Sequence, residues 1–174
     1  MTLDIIKVGY LRTNCYLLKK DNQVLIIDPG DEYLKIMNQI GDNETIVGII
    51  ITHNHPDHVG ALEYFDADII YDYFTLEEGV HCIGSFHFEV IYTPGHKSDS
   101  ISIYFKKEKM MFTGDFLFKN NIGRTDFPTG SMQDMRESLK KIRNYDADIA
   151  IYPGHGSSTI LGYEIENNAY FKGK

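Results

Sequence analysis

Thr52-His-Asn-His-Pro-Asp-His58 places three imidazoles and a carboxylate directly after the apolar run Ile46-Val-Gly-Ile-Ile-Ile51. A β-branched run of this kind reads as a buried strand, and the polar stretch at its end reads as the turn that leaves it. His53 and His55 are two residues apart, so on an extended or turning segment both rings can face one position and chelate a single ion. Pro56 bends the chain and disfavours helix in the residue before it, so Asp57 and His58 face a second position.

The same arrangement recurs three times. Glu89-Val-Ile-Tyr92 runs into Thr93-Pro-Gly-His96, Lys109-Met-Met-Phe112 into Thr113-Gly-Asp115, and Ile149-Ala-Ile-Tyr152 into Pro153-Gly-His155-Gly156. Four apolar strands therefore each deliver a His or Asp on a turn, and strands that finish along one edge of a sheet would bring these side chains together on rigid supports. His96 can complete the first position and His155 the second, while the two oxygens of Asp115 can bridge both. The expected partition is one ion held by His53, His55, His96 and Asp115, and another by Asp57, His58, His155 and Asp115. Each ion keeps an open position for water.

Imidazole and carboxylate donors without thiolate suit two divalent ions, zinc foremost, with iron or manganese also compatible. Ions about 3.5–4 Å apart make a bridging hydroxide available near neutral pH, to attack an ester, thioester or amide carbonyl. Asp57 is then both a ligand and a catalytic residue that orients the hydroxide. Five of the seven histidines fall at these strand ends; His81 and His87 lie outside them and read as structural. Asp28, in Ile26-Ile-Asp28-Pro-Gly30, reads as a turn residue with a structural or supporting role.

The rest of the sequence sets the surroundings of this cluster. Its 174 residues suit a single domain over 1–174 with a sizeable core. The formal charge is 17 − 25 = −8 with no basic cluster, which argues against nucleic acid as a partner. No apolar run approaches the ~18 residues of a membrane span and the N-terminus lacks a signal-peptide pattern, so a cytoplasmic protein with no membrane partner is expected. Cys15 and Cys82 fit no paired thiolate motif and are expected to be small buried residues of a reducing compartment.

Short β-branched runs alternate with turns and a few helical patterns, the mark of a mixed α and β domain. Strands are expected at 15–18, 24–27, 46–51, 68–71, 86–92, 100–105, 109–112 and 148–152. Helices are expected at 33–40, 59–65 and 163–171, and at 131–143, where Ser131 caps a run with Met132, Met135, Leu139 and Ile142 on one face.

In this order, His-x-His-x-Asp-His at 53–58, Thr-Pro-Gly-His96, Thr-Gly-Asp115 and Pro-Gly-His155-Gly resemble the metal motifs of the metallo-β-lactamase-fold hydrolases. The resemblance runs from Asp28-Pro-Gly30 almost to the C-terminus. It implies an αββα sandwich, two mixed sheets face to face with helices outside and a dinuclear site along one edge, and it supports His96, Asp115 and His155 as ligands. Common zinc β-lactamases lack a ligand at the position of His58 and usually carry Cys where Asp115 stands, and the flavodiiron branch has Glu in place of His55. The nucleases of the family carry additional RNA-binding segments that are not visible here.

Asp115-Phe-Leu-Phe118 followed by Gly123-Arg-Thr-Asp-Phe127 resembles the glyoxalase II (hydroxyacylglutathione hydrolase) branch and its short bacterial relatives. The branch implies hydrolysis of a small-molecule thioester such as an S-2-hydroxyacylglutathione. It also makes Arg124 a candidate substrate contact, with pairing to Asp126 as the structural alternative. Glyoxalase II carries a C-terminal helical domain that supplies much of its glutathione site, and this sequence stops soon after Gly162-Tyr-Glu-Ile-Glu-Asn-Asn168. Another thiol carrier, or another small ester or lactone, is therefore also an expectation. The persulfide dioxygenases share Gly-Arg-Thr-Asp-Phe and the motif order, which keeps open a mononuclear iron oxidoreductase.

Overall fold

A computed structural model describes residues 1–173. The first sheet contains β1 (Thr2–Val8), β2 (Thr13–Lys20), β3 (Gln23–Ile27), β4 (Thr45–Ile50) and β5 (Ile70–Tyr71) in the order β1-β2-β3-β4-β5. Its first three strands are antiparallel neighbours, and β4 and β5 run parallel to β3. The second sheet contains β6 (Gly79–Ile83), β7 (Phe86–Tyr92), β8 (Ile101–Phe105), β9 (Met110–Gly114), β12 (Ala150–Pro153) and β13 (Thr159–Ile160), in the order β13-β12-β9-β8-β7-β6. A separate hairpin, β10 (Leu117–Phe118) and β11 (Asn121–Ile122), follows β9. The helices are α1 (Tyr33–Met37), α2 (Pro56–Val59), α3 (Met132–Ile142) and α4 (Leu161–Asn167).

Strand alternation sends side chains to both faces of each sheet, and both faces are covered. Between the sheets lie Leu18, Leu25, Ile27 and Ile50 from one side and Phe88, Val90, Ile103 and Phe112 from the other. Tyr16 meets Phe112 edge-to-face at 4.9 Å across this layer. The outer face of the first sheet buries Leu17, Ile26 and Ile49 with Ile36 of α1, while that of the second buries Tyr104, Met111 and Ile151 with Met135, Leu139 and Ile142 of α3. Three apolar interfaces separate four layers, an αββα sandwich. Each large side chain fully buried in them contributes roughly 1.5–3 kcal/mol of transfer free energy.

Strand direction decides where the polar turns emerge. β8 runs antiparallel to both β7 and β9, and β12 runs parallel to β9, so β7, β9 and β12 all point the same way. Their C-terminal ends carry His96, Asp115 and His155. The motif after β4 joins them because the sheets are stitched together at this edge: Ile101 N donates to Thr52 O at 2.8 Å and Asn14 N to Gly154 O at 2.7 Å.

Several elements depart from the sequence-based expectations. The expected helix over 59–65 instead starts inside the motif, as α2, with Pro56 in its first turn, where a missing N–H costs nothing. It stops after one turn because Ala61 N donates to Pro29 O at 3.1 Å instead of continuing the helical ladder; a 3₁₀ turn, Leu62–Tyr64, follows. α1 ends at Met37, and the tail helix is divided at Asn168, whose side chain accepts from Tyr170 N at 3.2 Å. β1, β6, β10, β11 and β13 form without having been anticipated. Cys15 is buried as expected, but Cys82 is exposed on edge strand β6 and its thiol donates to Gly84 O at 3.2 Å. Among the described residues no helix is long and apolar enough to cross a membrane.

α3 is capped by Ser131, whose Oγ accepts from Asp134 N at 3.1 Å, and it packs directly on Gly95, the residue before His96. Gly95 has φ +145°, and a Cβ there would meet the Met135 Cα at 2.6 Å. Gly95→Ala is therefore expected to cost roughly 1–3 kcal/mol through backbone strain and overpacking, read as a lowered midpoint in urea unfolding of the metal-free protein.

Candidate metal centre

The structure brings the seven expected donors together at the open edge of the sandwich. Three subsets have ligand atoms within 4.8 Å of one another: His53, His55 and His96; His53, His58 and Asp115; and Asp57, His58 and His155. His53, His58 and His96 are buried, whereas His55, Asp57, Asp115 and His155 are partly open to solvent. A shared member in successive subsets makes one continuous cluster with two ends.

Each ring is oriented by what it meets on its outer side. His58 Nδ1 lies 2.8 Å from Asp28 Oδ2, an acceptor, so Nδ1 carries a proton and Nε2 faces inward. His96 Nδ1 donates to Arg124 O at 2.8 Å, and His155 Nδ1 to Leu11 O at 3.2 Å. Thr52 Oγ1 gives its proton to Asp28 Oδ2 at 2.7 Å, so the 3.2 Å contact with His53 Nδ1 is a donation from the ring. Four histidines thus direct Nε2 into the cluster; His55 directs Nδ1, 3.0 Å from both His53 Nε2 and His96 Nε2. Outer hydrogen bonds of this type fix the tautomer and aim of metal-binding imidazoles.

The electrostatics are those of donors crowded together. Burial opposes charge on His58, yet the carboxylates of Asp28 and Asp115 outweigh it and push its pKa up to about 10. Burial likewise opposes charge on His155, but Asp115 and Asp57 raise it to about 9. His53 is pushed down by burial and by the charge of His58. Burial disfavours ionised Asp115, but His155 and His58 outweigh it and hold its carboxyl well below the usual range. In the metal-free chain, protons on His58 and His155 balance the two carboxylates where a cation would do the same.

Two observations test whether a metal fits. His58 Nε2 and Asp115 Oδ1 are buried without a hydrogen-bond partner; their mutual 3.4 Å approach is an ion pair in charge that lacks hydrogen-bond geometry. Such orphaned atoms are costly unless something else satisfies them. Gly154 supplies the second observation, because a Cβ there would overlap Asp115 Oδ1 and stand 2.6 Å from His58 Cε1. The backbone is bare where these two donors stand. Imidazoles and carboxylates without a thiolate suit zinc, iron or manganese, so the residues present fit the two ions the sequence implies.

Arg124, the expected substrate contact, is placed differently. Its side chain is exposed and forms two 2.9 Å bonds to Asp126, and its guanidinium carbon sits 4.7 Å from the centroid of Phe127. Only its carbonyl reaches the cluster, through His96. Phe127 itself packs edge-on to His55 and His96, with centroids at 5.2 and 5.5 Å. Sequence reasoning assigned no role to Phe127, Thr52 or the pair Thr13-Asn14; Thr13 Oγ1 donates to Asp57 Oδ2 at 2.9 Å. Of these, Thr52 and Phe127 lay in segments singled out by pattern, and Thr13 and Asn14 did not.

The family description "Metallo-beta-lactamase superfamily" matches residues 8–79 and 67–155. A hydroxyacylglutathione hydrolase GloC of Haemophilus influenzae is 30% identical over 100% of both chains. Among solved structures, BLEG-1, described as a B3 metallo-beta-lactamase, superposes with TM-score 0.92 at 28% identity over 99% of this chain and 100% of that one. TTHA1623, crystallised in a di-iron-bound form, gives TM-score 0.85 at 28% identity over 96% and 99% of the two chains.

Asp28→Asn tests the outer support of the cluster. Asn also tolerates the left-handed backbone of residue 28, φ 53°, so the substitution spares the turn. An amide nitrogen cannot accept, so the substituted side chain loses the bond from Thr52 N in one orientation and those from the Thr52 hydroxyl and His58 in the other. Metal affinity, measured against a chromophoric chelator, is expected to fall about 10–100-fold with little change in the fold.

Proposed function

The chain belongs to the metallo-beta-lactamase superfamily, and from that membership we propose that it is a dinuclear metal-dependent hydrolase of a small thioester, of the 2-hydroxyacyl-thiol kind. The observation that carries this reading is the inward convergence of seven donors in one continuous cluster, including the unpartnered His58 Nε2 and Asp115 Oδ1. His53, His55 and His96 would hold one ion and Asp57, His58 and His155 the other, with Asp115 between them. Bound there, the ions would supply a hydroxide nucleophile near neutral pH and polarise the acyl carbonyl.

The protein's own groups do the rest. Thr13 Oγ1 fixes the Asp57 carboxylate by donating to Oδ2 at 2.9 Å; His155 Nε2, 3.1 Å from that oxygen when protonated in the metal-free chain, would face the ion instead, and Asp57 Oδ1 is left to accept from and orient the attacking water. Phe127 packs edge-on against the His55 and His96 rings and would place an apolar wall beside the bound acyl group at that end of the cluster. A thiolate leaves without a strong general acid. The full-length likeness to a hydroxyacylglutathione hydrolase supports the thioester as the substrate class.

The likeness to a β-lactamase structure favours a second substrate, a cyclic amide, whose departing nitrogen needs a proton that a thiolate does not. One assay separates the readings. Protein reconstituted with zinc, iron or manganese is expected to carry two ions per chain and to hydrolyse S-lactoylglutathione, and His55→Ala should lower kcat/KM at least about 100-fold. Equal rates for the variant and the wild type would overturn the hydrolase assignment. Faster turnover of a β-lactam would overturn the thioester, and one iron per chain with oxygen consumption on a persulfide would replace hydrolysis by oxidation.

A further inference from the structure

The adjacent residues Thr13 and Asn14 open β2, offer no metal donor to the cluster, and yet reach both exposed members of its second end. Thr13 is fully buried, and its hydroxyl donates to Asp57 Oδ2 at 2.9 Å. Asn14, 1% exposed, is bonded at its backbone N and at both polar atoms of its side chain: N donates to Gly154 O at 2.7 Å, and Nδ2 to Pro153 O at 2.8 Å and to Gly156 O at 3.2 Å. Its Oδ1 accepts from Lys7 Nζ, which also donates to Gly156 O at 2.9 Å. Tyr16, on the same strand, donates to Pro153 O at 2.6 Å. The carbonyls of Pro153, Gly154 and Gly156 bracket His155 on both sides, so this side chain has its backbone held from another sheet. Leu11 O completes the clamp by accepting from His155 Nδ1 at 3.2 Å.

The first end of the cluster has other supports. His53 and His55 stand on a turn held by Ile101 N, which donates to Thr52 O at 2.8 Å, and by Asp99 Oδ2, which accepts from Asn54 N at 3.3 Å, with Thr52 and Asp28 behind His53, and His96 is placed by Arg124 O. We propose that Thr13 and Asn14 are positioning residues that build the second metal position selectively, Thr13 by fixing the Asp57 carboxylate and Asn14 by clamping the turn that carries His155. The inference rests on reading the cluster as a two-ion centre, and it is independent of which substrate is cleaved.

The geometry also says why these two residue types stand here. Asp57 Oδ2 needs a short donor approaching from β2, which a hydroxyl supplies and a methyl of the same shape does not. Three carbonyls of a turn need donors at fixed positions, and an amide with two N–H groups serves two of them, while its own oxygen is neutralised by Lys7. Aspartate at 14 would set a carboxylate oxygen against those carbonyls. A glycine-rich turn such as Pro153-Gly-His155-Gly156 has high intrinsic freedom, so its ligand is only as well aimed as the groups that bind its backbone.

The test is a stepwise zinc titration against a competing chelator, with metal per chain counted after dialysis, on wild type, Thr13→Val, Thr13→Ser and Asn14→Asp. Wild type is expected to show two affinities. Thr13→Val and Asn14→Asp should weaken the second by about 10–100-fold and leave the first within about twofold, so that dialysed variants retain one ion per chain. Thr13→Ser, which keeps the hydroxyl, should retain two. Unchanged affinities in Thr13→Val and Asn14→Asp would overturn the proposal, as would equal weakening of both ions or a wild type that takes up only one. No thioester enters the measurement, so a protein that binds two ions and hydrolyses no thioester would sustain this inference while sinking the substrate assignment.

Discussion

The carboxylate of Asp28 is the interaction on which the edge of the sandwich turns. It is buried, it follows β3, and it accepts from Thr52 N at 2.8 Å, Thr52 Oγ1 at 2.7 Å and His58 Nδ1 at 2.8 Å. A single charge thereby joins the end of β3 to the end of β4 and sets the rotation of the most deeply buried imidazole. Three charge-assisted bonds offset the desolvation of that charge, and removal of any partner would leave part of that penalty uncompensated. The turn around it is equally tight: Gly30 lies so close to the Asp57 carbonyl that a Cβ would overlap it. The metal motif and the Asp-Pro-Gly turn therefore form one packed unit, and either would lose its shape without the other.

The cluster was legible in the sequence to an unusual degree because its members sit at the ends of apolar strands. Each strand announces itself by β-branched residues and each donor by the Gly or Pro turn beside it, so His53, His55, Asp57, His58, His96, Asp115 and His155 could be named before the strands were assembled. Less legible was whatever depends on groups with no spacing rule. Thr13 bonds to the turn after β4 and Asn14 to the second sheet, and in one dimension their hydroxyl and amide look like those of any residues that open a strand. The start of α2 inside the motif was missed for a related reason: the helix is cut short by a hydrogen bond from Ala61 to Pro29, a tertiary contact that local periodicity cannot contain. β1 and β6 were missed because edge strands, half exposed, carry a weaker apolar signal. Cys82 lies on the exposed side of one of them, and residue type alone had placed it in the core.

The mouth of the site has a different chemistry from its floor. Arg124 is matched by Asp126, two residues on, and Lys97 by Asp99 at 2.8 Å, again two residues on. The Phe127 ring lies between the Arg124 guanidinium and the imidazoles. Cations that carry their own counter-ions give a weaker pull on a distant anion than free ones, in keeping with the overall charge of −8.

Whether two ions share one donor cluster is read most directly by anomalous scattering from crystals of the metal-reconstituted protein. Data collected above and below the absorption edge of the bound metal should give two peaks per chain, one among His53, His55 and His96 and one among Asp57, His58 and His155, with Asp115 reaching both. A single peak, or peaks away from these seven side chains, would contradict the two-ion reading.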